Sequence, residues 1–168
     1  RAVARAFQGT GAKLCFFDPA PVDAAVAASL DAYAVSLDEL IATCDVISLH
    51  VPLIPATQNL IGAGEVARMK KGAILVQASR GGIVDEAALA ASLTSGHLGG
   101  AAVDVYSTEP PAADNPLLTL SGEAASRLLL TPHIAGVTRQ SSAFLFRSSW
   151  QNVERALLQN QAPLNRVY

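Results

Sequence analysis

Short apolar runs alternate along the chain with stretches whose apolar residues recur at helical spacing. Val3, Ala6 and Phe7 fall on one side of a helix over residues 1–8, Gly9-Thr10-Gly11 stops it, and Lys13 to Asp18 reads as a buried strand. Ser36-Leu37-Asp38-Glu39 has the Ser-x-x-Glu form that opens a helix, here running to about Cys44, and residues 45–50 make the next strand. The same alternation predicts a helix over 64–71 ended by Gly72, a strand over 73–77, a helix over 85–95 closed by Gly96, and a strand over 100–105. A strand over 128–131, a long helix over about 138–159 and a tail from Ala162 complete the pattern. Short strands separated by helices pair in parallel through right-handed crossovers, so the expectation is a doubly wound α/β sheet covered on both faces.

In such a sheet ligands bind beyond the carboxyl ends of the strands. Those ends carry Asp18, His50 with Pro52, Ser79 with Arg80, Asp104 with Glu109 beyond it, and His133. Two carboxylates, a guanidinium and an imidazole are thus expected on one rim.

Composition narrows the classes. With 168 residues, 51% hydrophobic and 15% charged, the chain has the content of one ordinary folded domain. A net charge of −2, with Lys70-Lys71 as its adjacent basic pair, is the wrong balance for nucleic acid, which needs several clustered cations. Cys15 and Cys44 sit in unrelated apolar contexts without CxxC spacing, so neither a metal site nor a disulfide framework is expected. The charge-free stretch from Val46 to Gly64 contains His50, Pro52, Pro55, Gln58 and Asn59, which argues against a membrane span. The first residues lack the pattern of a signal peptide, so a cytoplasmic location is expected, and a start at Arg1 in mid-helix suggests a longer parent chain.

Asp18 closes the first strand, where a carboxylate can accept both hydroxyls of an adenosine ribose. It would repel a 2′-phosphate, and no Arg or Lys between Asp18 and Leu40 stands ready to neutralise one. An Asp-Pro turn is the plainer alternative. The Gly-x-Gly-x-x-Gly turn that normally cradles a pyrophosphate is expected just upstream of Arg1, together with the strand before it. A sheet of this type grows outwards from that strand, so without it the two halves lack a common neighbour.

Four ordered motifs make the pattern specific. Leu49-His50-Val51-Pro52 with Thr57, Ala78-Ser79-Arg80-Gly81-Gly82-Ile83-Val84-Asp85-Glu86, Val103-Asp104-Val105-Tyr106-Ser107-Thr108-Glu109-Pro110 and Thr131-Pro132-His133-Ile134-Ala135-Gly136 follow one another with little gap. Together they resemble the NAD-binding domain of the D-isomer-specific 2-hydroxyacid dehydrogenases, a family that includes phosphoglycerate dehydrogenase and hydroxypyruvate and glyoxylate reductases. The resemblance runs from Arg1 to about Asn165 and implies a Rossmann-type domain lacking its first strand and glycine-rich loop. It divides the chain into a dinucleotide-binding part over 1–150 and a helix end and tail over 151–168 returning to a substrate domain.

The resemblance implies reversible hydride transfer between NAD and C2 of a 2-oxo or 2-hydroxy acid. Arg80 would bind the substrate carboxylate, since a planar guanidinium bonds both oxygens and stays charged. His133 would be general acid and base, with Glu109 raising its pKa and orienting the ring. On the same footing His50, Val51, Pro52 and Thr57 would line the wall from adenine to phosphate. Ala78, Ser79 and Arg80 would lie near the nicotinamide ribose, Asp104 near the carboxamide, and His133, Ala135 and Gly136 near the ring. A homodimer is implied in the same way. Gln77 departs from the family's usual short residue, and is expected to affect packing behind Arg80 without touching the chemistry. His97 matches no motif and is expected at an exposed helix end; Phe144, Phe146 and Trp150 are expected to pack rather than stack on bases. An NAD-sensing corepressor on the same fold remains the alternative to an enzyme.

Overall fold

The predicted β/α alternation is what the chain forms in a computed structural model describing residues 1–164. Residues 1–130 make one unit and the chain from Thr131 a second. In the first, α1 (Ala2–Phe7), β1 (Leu14–Phe16), α2 (Ala24–Ser29) and β2 (Ala32–Ala34) build a two-stranded parallel sheet, with Leu14 opposite Ala32 and Phe16 opposite Ala34. Next come α3 (Leu37–Thr43), β3 (Val46–Leu49), α4 (Ala63–Arg68), β4 (Ile74–Gln77), α5 (Glu86–Ser95), β5 (Gly100–Val103), α6 (Gly122–Ser126) and β6 (Leu128–Leu130). Their strands form a parallel sheet in the order β3-β4-β5-β6, and among the described residues no ladder joins it to β1-β2.

Local signals explain where the helices start and stop. The Ser36 hydroxyl accepts from Glu39 N–H at 3.1 Å, and Asp85 accepts from Ala87 and Ala88 N–H at 3.0 Å each, satisfying amides that lack a helical partner. Gly96 ends α5 in the left-handed region at φ 71°. The strands are shorter than expected, and α2, β2 and α6 were not anticipated: the alanine-rich stretch over 24–29 carries no apolar period, although Asp23 caps it by accepting from Ala25 N–H at 2.8 Å.

One face of the larger sheet forms the core. Ile47, Leu49, Leu75, Ala101 and Val103 meet Ile41 of α3, Val66 of α4 and Leu89 and Leu93 of α5 in one buried cluster. Each buried Val, Leu or Ile among them contributes about 1.5–3 kcal/mol by leaving water. On the opposite face Val46, Ile74 and Leu129 are 49%, 42% and 63% exposed, and α1 and α2 contribute no buried residue.

His97 also differs from expectation. It is half-buried because its carbonyl accepts from Gly72 N–H at 2.7 Å, drawing the residue inward until its ring Nε2 is enclosed without a hydrogen-bond partner.

In the second unit, α7 (Arg139–Leu157) is capped by Thr138, whose hydroxyl accepts from Ser141 N–H at 3.0 Å. Phe144, Phe146 and Trp150 are exposed rather than packed, because α7 buries no residue. Residues 162–164 fold back on α7: Arg155 Nε donates to the Ala162 carbonyl at 3.0 Å and Leu164 N–H to Asn152 at 2.7 Å. The expected tail from Asn165 on lies outside the described residues. Among those described, no helix is long and apolar enough to cross a membrane.

Candidate functional site

Strand register sets the rim. Leu49 pairs with Gln77 and Gln77 with Val103, so the next residues, His50, Ala78 and Asp104, leave β3, β4 and β5 at one level. Beyond these ends lies an open cleft of about 480 Å³ lined by His50, Val51, Pro52, Leu53, Ala78, Ser79 and Arg80. Six of these seven were expected from the sequence. Leu53 was not, since it extends the predicted Val51-Pro52 wall by one residue without any motif of its own.

Each wall is held by hydrogen bonds. The Thr57 hydroxyl donates to the Pro52 carbonyl at 2.6 Å and accepts from Ile54 N–H at 2.9 Å, so its side chain fastens the loop behind the wall. The Ser48 hydroxyl and His50 Nε2 are 2.9 Å apart, and partial desolvation lowers the His50 pKa below the ordinary imidazole value.

The Arg80 turn is held from beneath. Gln77 is 2% exposed; its amide donates to the Arg80 carbonyl at 2.8 Å, and its oxygen accepts from the Ser79 hydroxyl at 2.7 Å. The Arg80 guanidinium donates to the Ser79 carbonyl at 2.6 Å while its residue remains exposed at the cleft. Gly81 follows, and a Cβ there would sit 1.8 Å from the Tyr106 carbonyl oxygen. The glycine therefore serves the close approach of two backbones.

The Glu109 segment begins at that contact. Glu109 accepts from Tyr106 N–H at 3.0 Å, and Glu86 at the start of α5 accepts from Ser107 N–H at 2.6 Å, the Ser107 hydroxyl at 2.7 Å and Asn115 at 2.7 Å. Burial raises the Tyr106 pKa, with the nearby Asp104, Glu86 and Glu109 carboxylates adding to the effect. Asp104 is buried at 5% exposure, and its N–H donates to the Gln77 carbonyl at 2.9 Å. The positioning tasks of Gln77 and Glu86 had not been read from the sequence.

Asp18 stands exposed beyond β1, one carboxylate oxygen accepting from Ala20 N–H at 2.9 Å. The turn geometry of the plainer reading is thus present, and it leaves the carboxylate on the surface at the strand's carboxyl end. In the second unit His133 is exposed and adopts φ 55°, a left-handed conformation uncommon outside glycine. Gly136 accepts from the Ser141 hydroxyl at 2.5 Å through its carbonyl, and Ala135, just before it in the chain, is exposed.

The donor set fits parts of a dinucleotide. The cleft has the volume usual for small-molecule sites, with apolar Val51, Pro52, Leu53 and Ala78 beside the Arg80 cation, and the exposed Asp18 carboxylate beyond β1 is of the type that could accept from a diol.

Comparison with known proteins agrees with this chemistry. Residues 1–135 match the family described as D-isomer specific 2-hydroxyacid dehydrogenase, NAD binding domain. The chain is 45% identical over 161 residues to (S)-sulfolactate dehydrogenase of Chromohalobacter salexigens, covering 94% of this chain and 49% of that protein. It is 38% identical over 154 residues to glycerate dehydrogenase of Methylorubrum extorquens, covering 92% and 45%. A holo form of Rhodotorula graminis D-mandelate dehydrogenase superposes with a TM-score of 0.85 at 34% identity, covering 98% of this chain and 47% of that one. The chain spans about half the length of these relatives.

Proposed function

The chain belongs to the D-isomer-specific 2-hydroxyacid dehydrogenases through their NAD-binding domain, and from that premise we propose that the whole protein interconverts a D-2-hydroxy acid and its 2-oxo acid. The observation that carries the reading is Arg80, a cation exposed on the wall of the cleft beyond the end of β4, its backbone carbonyl held by Gln77. The sulfolactate, glycerate and mandelate of the relatives' names share a carboxylate next to a carbon bearing a hydroxyl. A guanidinium reads that common part: two parallel N–H donors match two carboxylate oxygens, and the charge persists at any working pH.

NAD, when bound, accepts or supplies the hydride. The chain's residues do the rest. Arg80 holds the carboxylate and so orients C2. His133 gives a proton to the C2 oxygen during reduction and removes it during oxidation, a role suited to imidazole because its ring nitrogens can both donate and accept a proton. Glu109 assists His133 in that proton transfer. Asp18 accepts the ribose hydroxyls, while His50, Val51, Pro52, Thr57, Ala78 and Ser79 form or support the cofactor wall, with Asp104, Ala135 and Gly136 near the nicotinamide. In this reading residues 1–150 serve the dinucleotide, 151–168 lead back to a substrate domain, and the protein is a cytoplasmic homodimer.

The test is NADH oxidation by the whole protein across a small panel of 2-oxo acids that includes glyoxylate, hydroxypyruvate and pyruvate, with NADPH in parallel. Turnover with at least one acid and preference for NADH are expected. Tight NADH binding without turnover on any acid would contradict an enzyme.

A further inference from the structure

We propose that Gln77 is a positioning residue for the substrate carboxylate, acting through Arg80. The inference rests on the reading that Arg80 binds that carboxylate, and goes beyond it by assigning the device that aims the guanidinium.

The argument begins with burial. A primary amide at 2% exposure is costly unless its hydrogen-bonding capacity is used, and Gln77 spends that capacity on one turn. Its Nε2 donates to the Arg80 carbonyl at 2.8 Å, while Oε1 accepts from the Ser79 hydroxyl at 2.7 Å and from Ser79 N–H at 3.3 Å. This pattern also fixes the amide's orientation, because a carbonyl requires the nitrogen and an N–H the oxygen. The Gln77 backbone is itself anchored, pairing with Val103 and accepting from Asp104 N–H at 2.9 Å. The tie thus runs from the centre of the sheet to the residue that faces the cleft.

Immediately beyond Arg80, Gly81 lies against the Tyr106 backbone so closely that no side chain fits. Arg80 is therefore pinned on both sides, by the Gln77 amide at its own carbonyl and by the Gly81–Tyr106 approach at the following residue. Its backbone has little freedom left, and the guanidinium's reach is set before substrate arrives. A misplacement of about 1 Å at a site of this kind can cost about a hundredfold, so losing the tie should appear in substrate binding. Sequence reasoning treats Gln77 as packing, because its contacts need the turn over 78–80 to be seen.

A double-mutant cycle in the whole protein tests the proposal, using NADH oxidation with the best acid of the panel and NADH affinity from fluorescence. Gln77→Met, similar in volume but unable to make these bonds, is expected to lower kcat/KM about tenfold, mainly through KM, with NADH affinity within about twofold of the parent. In an Arg80→Ala background the same substitution should change kcat/KM by less than about twofold, since the group it aims is gone. Gln77→Leu likewise lacks the donor to the Arg80 carbonyl and the acceptor for Ser79, in a shorter apolar side chain. It should raise KM similarly, so the test stands even if Gln77→Met does not fold. An unchanged KM in Gln77→Leu, or an equal loss in the presence and absence of Arg80, overturns the proposal. Arg80→Ala with an unaltered KM is a separate result: it removes the carboxylate reading itself, and this inference with it.

Discussion

Gly81 and Tyr106 meet backbone to backbone: a Cβ on the glycine would lie 1.8 Å from the Tyr106 carbonyl oxygen and 2.2 Å from its carbon. This contact joins the turn carrying Arg80 to the segment carrying Glu109. Gly81→Ala must push the two apart, and should destabilise the protein by at least about 2 kcal/mol as overpacking does. Gly64, inside α4 with nothing within 4 Å of its virtual Cβ, supplies the contrast. Gly64→Ala should stabilise by about 0.5–1 kcal/mol through helix propensity. Chemical denaturation of both variants is the check, and equal stabilities would refute the steric account.

The sulfurs of Cys15 and Cys44 are 3.2 Å apart, which corrects the expectation that the two cysteines occupy unrelated surroundings. Burial pushes the Cys15 thiol up to about 12 from an unperturbed 9.0, with the hydrogen bond and charge of Cys44 and the charge of Glu39 adding to the rise. Because the folded value lies above the unfolded one, this group's contribution to stability is fully present below pH 9.0 and fades as pH rises towards about 12. At pH 8 Cys15 should alkylate with iodoacetamide more than about a hundredfold more slowly than an unperturbed cysteine, because the thiolate is the nucleophile. Cys44→Ala should speed the reaction. Peptide mass spectrometry over time follows it, and ordinary reactivity at Cys15 would show that the burial argument fails.

In the proposed function Asp18 chooses between cofactors. Asp18→Asn should weaken NADH binding by about tenfold or more, as expected for losing hydrogen bonds to a charged acceptor, and should narrow the preference over NADPH. Fluorescence titration of both nucleotides measures the ratio. An unchanged ratio would reduce Asp18 to the turn it makes with Ala20.

Much of the architecture was legible in local pattern. Strands such as that over 74–77 announce themselves as apolar runs, and Asp85 and Gly96 mark both ends of α5. Of the residues around the cleft, His50, Pro52, Ser79 and Arg80 followed from one rule about strand ends, given the parallel pairing, and Val51 and Ala78 from the family resemblance. Contacts between distant segments were not legible. Cys15 and Cys44 are 29 residues apart, as are Glu86 and Asn115, and nothing in either neighbourhood names its partner. The burial of His97 depends on the Gly72 amide, and the task of Gln77 on a turn whose path no periodicity reports. Alanine hid α2 and β2 because its small side chain suits either structure.

The central claim is the proposal that Arg80 serves the substrate carboxylate and His133 the proton transfer, rather than either serving the cofactor alone. It is tested most directly by turnover of NADH with a 2-oxo acid in Arg80→Ala and His133→Ala variants of the whole protein, with NADH affinity measured on the same samples. The account predicts that each variant loses at least roughly a hundredfold in turnover efficiency while binding NADH within about threefold of the parent. Loss of NADH affinity in step with turnover, or turnover that survives either substitution, would contradict it.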